Sequence, residues 1–125
     1  MKYEELELNV IKWAEDKQIF SKSTALKQLS KTQEELDETL SALKSLHEID
    51  LDREGNRELI QSDHDQREIE ALFEAKDGIG DMIVTIIILA EMLGFSSVEC
   101  LETAYNVIKN RKGEMINGLF VKEKV

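Results

Sequence analysis

The chain has no proline, one cysteine, two histidines and one tryptophan in 125 residues. Each shortage closes something off. Proline breaks helix interiors, so its absence favours long uninterrupted helices. A single thiol, Cys100, excludes an internal disulfide and suits a reducing compartment, which makes a cytoplasmic location the expectation. The residues three before His47 and His64 are Lys44 and Gln61, so the Glu-x-x-His pairs of helix-bundle di-iron sites are missing. Zinc normally takes histidine or cysteine ligands, and Cys100 has no partner nearby in the sequence. Positive charge is scarce too: 16 lysines and arginines against 26 aspartates and glutamates leave a formal net charge of −10. That argues against the basic face of a nucleic-acid binder. The apolar run from Met82 to Ala90 is about half of the roughly 20 residues that span a bilayer. The start, Met1-Lys2-Tyr3-Glu4-Glu5, is too acidic and polar for a signal peptide. Neither a membrane nor nucleic acid is expected as a partner.

What is present reads as an all-α chain, expected to form one domain over 1–125. Tyr3, Leu6, Val10, Trp13 and Ala14 recur at helical spacing and predict a helix over about 2–18. A short connection at 19–23 leads to a second helix over about 24–46, with Ala25, Leu29, Leu36, Leu40 and Leu43 on its apolar positions. The interval 47–65 is polar, with a turn expected at Gly55-Asn56 and room for a short helix at 57–61. A third helix is expected from Asp63, capped with the help of Gln66, to Leu93, with its stop at Gly94. Ser96 and Glu99 form a capping box for a fourth helix that carries Val98, Leu101, Tyr105 and Ile108 and ends near Gly113. The tail from Met115 onward is expected to be irregular or extended. The β-branched run 83–88 has the composition of a buried strand, but the helical pattern extends well to either side of it and decides for helix. Such a helix is apolar nearly all round and must be covered on every side, which a chain this small cannot do alone. An oligomer with this helix at the interface is therefore expected.

Two acidic clusters stand out. In Glu34-Glu35-Leu36-Asp37-Glu38, Glu34 and Glu38 are four apart and share a helix face, with Glu35 about 100° around. Asp77 and Asp81 repeat that spacing on the third helix, and Glu74 lies three before Asp77. Like charges so placed destabilise a lone helix by about 0.2–0.5 kcal/mol per pair. An acidic run alone describes an ordinary solvated face. Asp81 is harder to explain that way, because it borders the most apolar segment of the chain and is expensive to bury unpaired. Two such clusters suggest a cation between them. An all-oxygen ligand set points to magnesium, or manganese in its place.

These motifs resemble the MazG-type nucleoside triphosphate pyrophosphohydrolases, whose signature is Glu-Glu-x-x-Glu on one helix and Glu-x-x-Asp on another. Glu34-Glu35-Leu36-Asp37-Glu38 matches the first half. Lys27-Gln28-Leu29-Ser30-Lys31 resembles the family's lead-in, and Gly80-Asp81-Met82-Ile83 its Gly-Asp and apolar run. The stretch from Lys109 to Glu123 resembles the small MazG-like proteins of phages and their bacterial hosts. There is one departure: the glutamate expected three before Asp81 is Gly78. Asp77, one turn before Asp81, is the first substitute, and Glu74-Ala75-Lys76-Asp77 offers a shifted match.

The resemblance implies a four-helix bundle-like fold and a homodimer or homotetramer. It also implies magnesium-dependent hydrolysis of ribo- or deoxynucleoside triphosphates between the α- and β-phosphates, giving a monophosphate and pyrophosphate. Glu34, Glu35, Glu38, Asp77 and Asp81 would hold metal, and Glu35 or Glu38 would deprotonate the attacking water. Lys31, Asn106, Lys109, Arg111 and Lys112 are the candidates for the phosphates, although basic residues in a last helical turn also complement its dipole. Trp13 is the candidate for stacking on the base, against an ordinary place in the core. Two other readings fit the residues: a degenerate nucleotide-binding homologue, and a helical interaction module whose acidic face only solubilises.

Overall fold

A computed structural model describes residues 1–55 and 61–124, with residues 61–64 as backbone only. The order of elements is α1 (Tyr3–Asp16), α2 (Ile19–Lys22), α3 (Ala25–Glu54), α4 (Gln61–Met92), α5 (Ser97–Ile108), β1 (Gly113–Ile116) and β2 (Leu119–Lys122). The chain is mostly helical, as its composition predicts. The run 83–88 lies inside α4, so length prevails over β-branching there.

Several boundaries differ from expectation. The connection at 19–23 contains the one-turn helix α2. α3 continues eight residues beyond Leu46, to Glu54, so much of the polar interval is helical. Its charges fit the helix because they pair across to α4. Arg53 Nη2 lies 3.1 Å from Asp65 Oδ1 and 2.9 Å from Glu68 Oε2, and Arg67 Nη1 lies 3.4 Å from Asp52 Oδ2. Gly55 stands in a turn. Asn56 and all but the last residue of the short helix expected at 57–61 lie outside the described residues. Gln61, that last residue, is already helical, so Asp63 lies inside α4.

Local signals elsewhere hold. Thr24 caps α3, its hydroxyl accepting from the Lys27 amide at 3.3 Å. Gly94, at φ 84°, follows the end of α4, and Ser96 Oγ accepts the Glu99 amide at 3.1 Å to start α5. α5 ends at Ile108, short of Gly113. Of the two alternatives for the tail, extended holds: β1 and β2 form an antiparallel hairpin pairing Gly113 with Lys122 and Ile116 with Leu119. Asn117 and Gly118 take φ 51° and 81°, the two positive values that a tight two-residue hairpin turn demands.

α3 and α4 form the main contact of the molecule, and they run antiparallel. Arg53 meets Asp65 and Glu68 at one end, while Gln28 Nε2 donates to the Thr85 carbonyl at 3.2 Å at the other. α1 packs on α4, and its Glu7 carboxylate accepts the Ser97 amide at 3.2 Å, at the positive end of the α5 dipole. The core is thin. Ala14, Ala42, Ala71, Ala75 and Ala90 are buried with Ile49, Ile87 and Ile88, so small side chains let the helix backbones approach closely. α5 leaves α4 across a 97° bend. Among the described residues no single helix is long and apolar enough to cross a membrane; α4 and α5 reach that composition only jointly, across the bend.

Candidate functional site

The seam between α3 and α4 is polar for much of its length. From α3 it takes Gln28, Thr32, Glu35 and Thr39, and from α4 Gly78, Asp81 and Thr85. Thr32 Oγ1 donates to Thr85 Oγ1 at 2.8 Å, and Thr85 Oγ1 donates on to the Met82 carbonyl at 2.7 Å. Thr39 Oγ1 donates to the Glu35 carbonyl at 2.8 Å. These threonines and Gln28 were not singled out in the sequence. Each is an ordinary helix residue until the facing helix is known.

Glu35 sits within this seam, 8% exposed. Its Oε1 lies 3.6 Å from Lys31 Nζ, and its Oε2 is buried with no hydrogen-bond partner. Burial, then the neighbouring Glu38, push its carboxyl above the usual range, and Lys31 offsets part of the rise. Across the seam Asp81 is half-buried and also raised, by burial first, then by Asp77 and Glu35, with Lys31 opposing. The two helices are therefore coupled through one pair, Glu35 of α3 acting on Asp81 of α4, while Glu38 acts on Glu35 and Asp77 on Asp81 within their own helices.

Lys31 is the local counter-charge. Its ammonium donates to Glu34 Oε2 at 2.9 Å, and that bond and charge hold its pKa up. With Glu34 turned to Lys31, no three of the His, Cys, Asp and Glu side chains among the described residues close on one point as they stand. The donor chemistry nonetheless fits a hard divalent cation. It is all oxygen, and it contains a buried carboxylate oxygen with nothing to bind.

Gly78 marks a close approach of the two helices. A Cβ there would collide with Thr39 Oγ1 and lie 3.3 Å from Thr39 Cβ. The position at which the resemblance expects glutamate thus has no room for any side chain while Thr39 faces it. Of the two substitutes, Asp77 acts electrostatically on Asp81. Glu74 instead borders a small cleft with Ser45, Ile49, Arg67, Glu70 and Ala71, nearer the Arg53 end of the pair.

The remaining candidates lie apart from the carboxylates in this chain. Lys109, Arg111 and Lys112 are not among the charges acting on Glu35 or Asp81. Lys109 Nζ donates to Asn106 Oδ1 at 3.2 Å on exposed α5. Asn106 lines a cleft of about 640 Å³ with Phe95, Glu99 and Cys100. Arg111 and Lys112 line another, of about 560 Å³, with Lys122 and Lys124. Trp13 is half exposed on α1. Compared with known proteins, the chain matches no family model, no curated protein and no solved structure.

Proposed function

We propose that the chain is a MazG-like nucleoside triphosphate pyrophosphohydrolase, a cytoplasmic homodimer or homotetramer completing a helical bundle. The observation that carries the reading is Glu35: a carboxylate inside a helix seam, one oxygen unpartnered, facing Asp81, with Glu38 and Asp77 beside them. Two such carboxylates are costly together when ionised, and a cation between them offsets that cost. Magnesium, or manganese, supplies neutralisation of the triphosphate and polarisation of the phosphorus under attack when bound.

The chain's own residues divide the rest of the work. Glu35 and Asp81 would hold the cation, with Glu34 and Asp77 able to join them. Glu38 is exposed and one turn from Glu35, so it takes a proton from a water that attacks the phosphate chain. The new P–O bond forms as the bond between the α- and β-phosphates breaks, and pyrophosphate leaves with the electron pair. Lys31, released from Glu34 and Glu35, meets the developing negative charge. Incubation with a panel of NTPs and dNTPs plus magnesium should give monophosphate and pyrophosphate. Orthophosphate as the product, or full activity in Asp81→Ala or Glu38→Ala, rejects the chemistry.

The second reading is a nucleotide-binding protein without turnover. It is favoured by the closed position at Gly78 and by the distance of Lys109, Arg111 and Lys112 from the seam. Calorimetry showing tight nucleotide binding beside an absence of products selects it.

A further inference from the structure

The α3–α4 pair has a second face that its own chain leaves open. At about 100° per residue, Leu36, Leu40 and Leu43 form a stripe roughly a quarter-turn from the seam residues Glu35, Thr39 and Ala42. Ile79, Ile83 and Ile86 form the same stripe on α4, with the same spacing of four and three and the same offset in the same sense from Gly78 and Thr85. Because the helices are antiparallel, equal offsets fall on one side of the pair. Glu34, Glu38 and Asp77 are offset in the opposite sense and fall on the other side. All six apolar residues are between 43% and 52% exposed, and no charged residue interrupts either stripe.

The surface area says how much is missing. A compact monomer of 14.3 kDa exposes roughly 6,800 Å² by the scaling of area with mass. This chain exposes 9892 Å², an excess of roughly 3,100 Å² over that scaling. Obligate homodimers bury about 2,000–5,000 Å² in all, or about 1,000–2,500 Å² per chain, so the excess is more than enough to supply a self-association. Charge selects the face. Two chains of net charge −10 repel each other wherever their carboxylates meet, and this stripe pair is a face without them.

We infer that a second copy of this chain docks on the Leu36–Leu40–Leu43 and Ile79–Ile83–Ile86 face, leaving the carboxylate face outward and open. This deepens the oligomeric part of the reading above and is independent of its chemistry. The test is the mass of the full chain in solution, by sedimentation and light scattering. Wild type is expected at a multiple of 14.3 kDa. The double variant Leu40→Lys, Ile83→Lys is expected at the single-chain mass, and Glu34→Lys, on the opposite face, is expected to stay associated. Should the lysine pair fail to fold, Leu40→Ala with Ile83→Ala decides by dilution, with a dissociation midpoint at least tenfold above wild type. An associated wild type that neither pair weakens overturns the face while leaving the oligomer. A monomeric wild type at micromolar concentration overturns both and leaves the hydrolysis untouched.

Discussion

Glu35 works against the stability of the metal-free fold. Its carboxyl and that of Asp81 are raised above their ordinary values of 4.5 and 3.8, so the folded chain keeps protons that the unfolded chain has released. With more protons bound in the folded state, stability falls as pH rises. It is fully present below the ordinary carboxylate range and is lost as pH climbs through the raised values. Thermal melts in chelator should show a melting temperature declining across that window. Glu35→Gln should melt higher than wild type at pH 7 and show a flatter profile. A wild-type melting temperature that rises with pH over the same window would contradict the assignment. At Gly78 the constraint is steric. Gly78→Ala should cost about 1–3 kcal/mol, as overpacking does, measured by urea unfolding, and Thr39→Ala in the same chain should recover part of the loss by removing the hydroxyl that the new methyl meets. Gly78→Glu should lose stability in the same way and gain no activity.

At the scale of elements, what could be read in the sequence was what is encoded locally. The cap at Ser96, the stop at Gly94 and the like-charge spacings of the acidic clusters each depend on a few adjacent residues. So does the Asn117-Gly118 turn, an Asn-Gly hairpin signal flanked by strands of only four residues. The far end of α3 was not legible. Residues 47–54 are polar because their partners are on α4, and Arg53 has a reason to be helical only when Asp65 and Glu68 stand opposite. The polar seam was hidden for the same reason, since antiparallel register decides that Thr39 meets Gly78 and Thr32 meets Thr85. The Arg53 pairs are partly exposed, so their worth is small and salt-dependent. Arg53→Ala should speed amide exchange in 49–54 and 65–68 by several-fold at low salt, with the difference shrinking in 1 M salt and the α5 amides unchanged.

For the whole molecule, the exposed area ties stability to concentration. A chain whose fold is completed by a second copy melts higher as its concentration rises, by mass action. A hundredfold dilution should therefore lower the melting temperature by several degrees, whereas a self-sufficient monomer shows no change. The same linkage applies to metal. Millimolar magnesium should raise the melting temperature of wild type and not that of Glu35→Gln, and an equal rise in both would place the cation elsewhere. The two dependences should be separable, because the carboxylates and the apolar stripes occupy opposite faces of the α3–α4 pair.

The Thr39–Gly78 contact also acts as a gauge. Only the Thr39 side chain stands between the backbones at that crossing, and Ala42, Ala71 and Ala75 lie along the same seam, so the helices sit close together there. The gap between Glu35 and Asp81 is thus bounded from below by short side chains with little room to adjust. An ion seated there meets a width set one turn away, so ionic radius becomes a criterion for admission: a small cation is reached by side-chain rotation alone, while a calcium-sized one, which asks for more ligands at longer distances, must prise the helices apart at a joint made of glycine and alanine.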